Sequence, residues 1–444
     1  MKKYCLILSL LALALSGYAQ QSNKSKSKDR YREKDSVGQA DVREAADRLV
    51  PLRALAESEL PQVVNALSEA VRQNGAIPGV SSRYFAYALL AGHETTARFQ
   101  TKVSSLQGAL RGMPLTNSFV KTDEVFHPFA ALYAVLETGR SFFPTDNTLA
   151  GKQSALEQAF RDKGLDEQTI AQSKTAAQDI ARSILDYAAS DGFQRLAASV
   201  RPGAAANPAT LNTDALQGAE TTGNPYRPFF IENAQVFALP APAPFDTSAG
   251  SAFMATVREV YDNGRNQTAE QRGIARFWDA GTTTLAGHWI SICSAACIEK
   301  KVPFNQALRA QAITALALAD AYYLCWEEQL RYRRVQPKTV INRTMDSAWQ
   351  PVLTGSATME YASDYSLASA AAAEVLTKLL GEQTAFSDPT GNQARRFSSF
   401  RQAAQEASDS RLYGGVQYRD ALDAGLASGR RLGEFVVRRL PVDQ

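Results

Sequence analysis

From about Ala45 onward, apolar residues recur at three- and four-residue spacing with few breaks. The pattern predicts helices over 53–74, 80–99, 127–143, 152–161 and 169–190, then over 250–262, 268–279, 285–299, 304–334, 360–381, 397–409 and 416–439. Such spacing gathers the apolar side chains on one face of each helix, which must then be covered by a neighbour. No alternating run is long enough to suggest a sheet. The fold class expected is therefore all-α, as two packed helical bundles. The stretch RPGAAANPATLNTDALQGAETTGN at 201–224 is rich in Pro, Gly, Asn and Thr, and interrupts the pattern. It is read as a linker between an N-terminal bundle at 45–200 and a C-terminal bundle at 225–444. Pro-rich LPAPAPF at 239–245 and the turn signal DPTGN at 388–392 mark shorter loops.

The start of the chain breaks the periodicity differently. MKKYCLILSLLALALSGYAQ has two lysines, a short apolar run and small residues near Ala19, the layout of a signal peptide over 1–20. The run is too short for a membrane span, and no later segment approaches the ~20 apolar residues a span needs. Cys5 lies inside the run instead of at its end, which favours plain export over a lipid anchor. The mature protein is expected in the periplasm or outside the cell, with no membrane span. Residues 21–44 are charged and poor in large apolar groups, so they are read as a flexible polar leader.

Composition and charge exclude several classes. Of the 444 residues, 45% are hydrophobic and 21% charged, as in globular proteins. The formal charge of +3 includes Lys2 and Lys3, so a processed chain carries roughly +1, too little for a nucleic-acid footprint. Past the signal, Cys293, Cys297 and Cys325 remain. Cys293 and Cys297 share a helical face but have no nearby His or Asp, so no metal site is expected and three buried thiols are. HExxH, CxxC, P-loop and dinucleotide fingerprints are all absent from the sequence.

Two local patterns carry more information. In MEYASDYSLASAAAAEVL at 359–376, Ser363, Asp364 and Ser366 supply capping oxygens just before an alanine-rich helix. A helix start of this kind suits an anion, yet an aspartate stands in it. Near the C-terminus, Gly425, Gly429 and Gly433 recur every fourth residue, a narrow stripe that lets another helix approach closely.

Three segments in order then read together: CWEEQLRYRRVQPKTVI at 325–341, the 359–376 stretch, and SRLYGGVQYRDALDAGLASGRRLG at 410–433. Together they resemble the vanadium-dependent haloperoxidase and type 2 phosphatidic acid phosphatase (PAP2) superfamily. SSRYFAYALL at 81–90, ILDYAASDGF at 184–193 and TAEQRGIARFWDAGTTTLAGHW at 268–289 resemble its secreted bacterial branch, so the likeness spans most of the chain past the leader.

The resemblance implies a pocket for phosphate or vanadate built from three motifs. These are a Lys followed seven residues later by Arg-Pro, a Ser-Gly-His, and a Ser-Arg with a His six residues after the Arg. Lys and Arg would neutralise the oxyanion from one helical face, glycine would bare backbone N–H groups, and the imidazoles would ligate or move protons. On this chain the corresponding positions are Gln329 and Gln336-Pro337, then Ser363, Asp364 and Tyr365, then Ser410, Arg411, Gly414, Gly415 and Gln417. The acidic residue that often follows the last His falls on Ala421, or on Asp420 with a one-residue shift. Both imidazoles and two cations are thus replaced, and a carboxylate is added. Ser363, Arg411 and Gly415 remain as a remnant anion pocket, in which Asp364 is expected to take the place of the anion opposite Arg411.

Neighbouring residues are read as follows. Arg331, Arg333 and Arg334 form a solvated basic face, Arg334 pointing away from Gln336. His288 is expected to be a packed structural histidine, or a pocket wall as the resemblance allows. The expected function is that of an exported, haloperoxidase-like protein without catalysis, binding a small molecule or protein. The alternatives are altered chemistry through Tyr365, Asp364 and Arg411, or an ordinary haloperoxidase or acid phosphatase. No cofactor is expected unless the family activity is kept, in which case vanadate is. A homodimer is compatible with the family, and no nucleic-acid partner is expected.

Overall fold

A computed structural model describes residues 28–75, 78–193, 226–279, 284–354, 360–391 and 394–442. The expected signal peptide and the 201–224 linker lie outside these residues. The described residues are mostly helical, with one two-stranded hairpin.

In the N-terminal block the helices are α1 (Lys28–Gln73), α2 (Pro78–Phe99), α3 (His127–Phe142), α4 (Asn147–Asp162) and α5 (Glu167–Ala189). Helix α1 begins inside the stretch expected to be a flexible leader. The Glu, Lys, Arg, Gln and Ala residues there cannot build a core, yet they are good helix formers. Local chemistry sets several ends: Asp146 caps α4 by accepting from the Thr148 amide, and Asp166 caps α5 by accepting from the Thr169 amide.

The C-terminal block comprises α6 (Ala252–Arg265), α7 (Ala269–Phe277), α8 (Leu285–Glu299), α9 (Phe304–Tyr332), α10 (Pro337–Thr344), α11 (Asp364–Leu380), α12 (Phe400–Tyr413) and α13 (Arg419–Arg439). Helix α10 was not legible as a separate element. Neither was the hairpin β1 (Phe386–Asp388) and β2 (Arg395–Phe397), whose strands are too short to show alternation.

One buried core runs through both blocks, drawing in Leu89 and Leu90 of α2, Phe129 of α3, Leu316 of α9 and Leu376 of α11. Helices α2, α3, α9 and α11 are therefore buried nearly all round. Cys293, Cys297 and Cys325 are all buried free thiols, as their sequence context implied. Among the described residues no helix is long and apolar enough to cross a membrane.

The glycine stripe has a definite partner. A Cβ on Gly425 would lie 2.8 Å from Ser366 Cβ, one on Gly429 would meet the Leu367 carbonyl, and one on Gly433 would lie 2.6 Å from Glu374 Cβ. Helix α13 thus lies backbone to backbone on α11 and fixes its N-terminal end.

Candidate functional site

The site forms where α9, α10, α11 and the α12–α13 connection meet. Helix α9 does not continue through the first motif. It ends at Tyr332, and Arg333 closes it in the left-handed conformation with φ 44°. Gln336 is the N-cap residue of α10, and Pro337 is its first residue. Gln329 and Gln336 therefore sit on different elements, which corrects the expectation of one helical face. Gln329 donates to Cys325 Sγ at 3.2 Å and to the Ala362 carbonyl at 3.3 Å, away from the cavity, whereas Gln336 lines it.

Ser363 caps α11, accepting from the Ser366 amide at 3.1 Å and donating to Gln417 Oε1 at 2.6 Å. Both of its functions are spent on holding the two motifs together. Helix α12 ends in a Schellman turn: the Val416 amide bonds the Arg411 carbonyl and the Gly415 amide bonds the Leu412 carbonyl. Gly415 has φ +76°, and a Cβ there would press on Trp349 at 3.0 Å and Pro351 at 3.1 Å, so this position requires glycine. The turn brings Gln417 back alongside Arg411. The Ser410 hydroxyl donates to the Ala407 carbonyl of its own helix.

Together these elements enclose a cavity of about 180 Å³ lined by Gln336, Glu360, Asp364, Tyr365, Arg411 and Gln417, with Pro78 reaching in from α2 and Thr354, Asp279 and Val416 at its walls. Of the sequence-derived residues, five share this cavity. Gln329, Ser363 and Gly415 support it from outside.

Arg411 is buried, 5% exposed, with its guanidinium 4.0 Å from the centre of the Tyr365 ring. Among the described residues it forms no ion pair with Asp364, and its Nη1 is buried without a hydrogen-bond partner. This corrects the expectation that Asp364 takes the anion's place: the arginine is satisfied by an aromatic face and keeps one unmet donor. Asp364 accepts instead from the Tyr365 amide at 2.9 Å. Burial pushes its carboxyl above the ordinary range, against the pull of the Arg411 charge, the backbone amides and Gln417.

Glu360 was missed by sequence reasoning, although it stands four residues before Asp364. Its Oε1 accepts from the Tyr418 amide at 2.7 Å and its Oε2 lies 3.4 Å from Arg334 Nη1. Burial pushes this carboxyl up to about 8, outweighing the charge of Arg334 and the Tyr418 amide.

Arg334 is buried, 7% exposed, which corrects the solvated basic face expected for it. The wheel that turned it away from Gln336 stops at Tyr332, and beyond Arg333 the chain changes direction. Its Nη1 pairs with Asp420 Oδ1 at 2.6 Å, and its guanidinium stacks on Tyr418 at 4.5 Å. Asp420 thus serves Arg334 and not Gln417, while Ala421 is simply core. Arg331 and Arg333 are exposed, as expected.

His288 lies away from the cavity. It is stacked on Trp278 at 4.6 Å, and its Nε2 is 2.7 Å from Asp388 Oδ2, tying α8 to β1. The pair holds the Asp388 carboxyl below its ordinary range although burial opposes this. The structural role expected for His288 is the one observed. His127, half-buried beside Gln100 and depressed to about 4 by desolvation, and His93, bonded to the Ser104 carbonyl, are structural too.

Residues 309–441 match the family described as the VCPO second helical-bundle domain. A protein described as the first bacterial vanadium-dependent iodoperoxidase is similar to this chain at 29% identity, over 87% of this chain and 97% of its own, with a TM-score of 0.77. The holo form of a bacterial vanadium-dependent chloroperoxidase shares the fold at 14% identity, over 82% of this chain and 92% of its own, with a TM-score of 0.58. The apo form gives 14% identity and a TM-score of 0.61 over 82% and 94%. No curated protein is similar to the chain. The family match places residues 309–441 in that helical-bundle domain, and the similarity over most of the chain, with the three motif segments meeting at one cavity, supports a vanadium haloperoxidase/PAP2-like fold for the whole.

Proposed function

We propose that this protein is an exported, non-catalytic relative of the vanadium haloperoxidases that uses the inherited cleft to hold a small polar ligand. One observation carries the reading. The positions where the resemblance sets imidazoles are Tyr365 and Gln417, and these two side chains line the cleft beside Asp364. Tyrosine, with an ordinary pKa near 10, is a poor proton shuttle at neutral pH, and an amide cannot ligate vanadate as imidazole does.

The residues present do not fit orthovanadate. Arg411 offers an unmet donor, but Ser363 and Gln417 are engaged with each other, and the Asp364 carboxyl faces the same space. A buried oxyanion there would lack the paired positive charge that burial demands. The ligand that fits is small and neutral or zwitterionic, offering an acceptor to Arg411 and a donor to Asp364.

Orthovanadate titrated against thermal unfolding tests this directly. The expected outcome is an unchanged midpoint, and no peroxide-dependent iodide or bromide oxidation after vanadate loading. A vanadate-dependent midpoint rise with halide turnover overturns it. In the variant Asp364→Gly with Tyr365→His and Gln417→His, vanadate binding is expected to return in part.

A second reading, acid–base chemistry in the same cleft, draws support from Glu360 and Asp364, two buried carboxyls both raised. It differs from the first in requiring turnover that Glu360→Gln abolishes. Export rests on the signal-like start, and a protein partner or homodimer belongs to the proposal on the family likeness alone.

A further inference from the structure

Glu360 lines the cleft, and its partner Arg334 lines a second and larger cavity of about 650 Å³. The walls of this cavity are apolar: Pro242, Pro244 and Phe245 of the Pro-rich loop, Phe253 of α6, and Val335 and Val340 around the start of α10. Its size is that of a small-molecule site. Three arginines, Arg333, Arg334 and Arg343, also line it, and among the described residues no carboxylate does.

The charges are not all used internally. Arg334 spends Nη1 on Asp420 and Glu360, but its Nε and Nη2 are buried with no hydrogen-bond partner among the described residues. A buried N–H without an acceptor is unfavourable, so this edge of the guanidinium has an unmet demand. Arg343 is exposed and has no ion-pair partner among the described residues. Phe245, 67% exposed, stands against Phe253 at 5.1 Å, an uncovered aromatic at the wall of the cavity.

We propose that this cavity is a separate binding site for a small amphipathic carboxylate, its apolar body against the proline and aromatic walls and its head on Arg334 and Arg343. A guanidinium edge presents two N–H groups in the plane a carboxylate needs, and the acid-free lining disfavours a cation. The site needs nothing from the vanadate-type cleft, so either can fail without the other.

Calorimetric titration of the full chain with octanoate tests the assignment, with 1-octanol and octyltrimethylammonium as neutral and cationic counterparts. One saturable octanoate site is expected, with octanol at least about tenfold weaker and the cation not bound. Arg343→Gln, at an exposed position, is expected to keep the fold by circular dichroism and weaken octanoate about tenfold, and Thr339→Trp, which fills the cavity from α10, to abolish binding. Octanol or the cation binding as tightly as octanoate overturns the proposal. So does octanoate affinity left unchanged by both variants. Arg334→Gln is a less useful probe, because it also strips Glu360 and Asp420 of their partner.

Discussion

The guanidinium of Arg411 lies 4.0 Å above the ring of Tyr365, and this stacking replaces the carboxylate contact that the sequence suggested. A cation largely removed from water gains more from an aromatic face than an exposed one does. Tyr365→Leu removes the face and leaves Arg411 buried without it. The expected loss is about 1–2 kcal/mol in urea unfolding. A change within about 0.3 kcal/mol would mean that the stacking is energetically idle.

Glu360 makes stability pH-dependent in a definite direction. Its carboxyl is raised to about 8 in the folded protein from 4.5 when unfolded. Between those values the folded state holds the proton more tightly, so stability is fully present below the lower value and is lost as pH rises through the upper one. Glu360→Gln, which keeps the shape and cannot ionise, is expected to flatten the fall in stability between pH 4.5 and about 8. Chemical unfolding at a series of pH values gives the comparison, and parallel curves for the two proteins would refute the assignment.

Arg334 faces two acid groups at once, the Asp420 carboxylate at 2.6 Å and the Glu360 carboxyl, raised to about 8, at 3.4 Å. Removing it leaves the Asp420 carboxylate without its cation beside a buried acid, and Arg334→Met is expected to cost about 3–5 kcal/mol. Adding Glu360→Gln removes the more deeply buried of the two acids and should recover part of the loss. A double-mutant cycle with no coupling between the two changes would show that the Arg334–Glu360 contact contributes nothing.

The stripe on α13 is a packing device with a functional consequence, since α11 begins at the cleft. A Cβ on Gly429 would collide with the Leu367 carbonyl and lie 2.7 Å from Ala370 Cβ. Gly429→Ala is expected to cost about 1–3 kcal/mol and to move the Ser363–Asp364 end of α11. Gly273, exposed in α7 with nothing within 4 Å of a Cβ, is the control: Gly273→Ala should stabilise by about 0.5–1 kcal/mol. Equal effects at the two positions, read by thermal unfolding, would remove the backbone-to-backbone account.

Helix spacing was a local property, and so it was legible. The three- and four-residue recurrence of apolar positions gave twelve of the helices in order, because an apolar face must be buried wherever the helix ends up. The glycine stripe and the buried thiols followed from the same logic. The short helix α10 and the three-residue strands of the hairpin escaped it, being too brief for a period to register.

The chain by itself thus determined a predominantly helical architecture, the close approach of α13 to a partner, and the three segments that meet at one cavity. Tertiary structure decided what each charged group meets. Gln329 and Gln336 part company because the chain turns at Arg333, and Arg334 goes inward because that turn delivers it to Asp420 and Glu360. Arg411 finds an aromatic ring and not an acid. The physical reason is that burial of apolar faces is written residue by residue, whereas the partner of a charge is set by which distant segments the packed helices bring within a few ångströms.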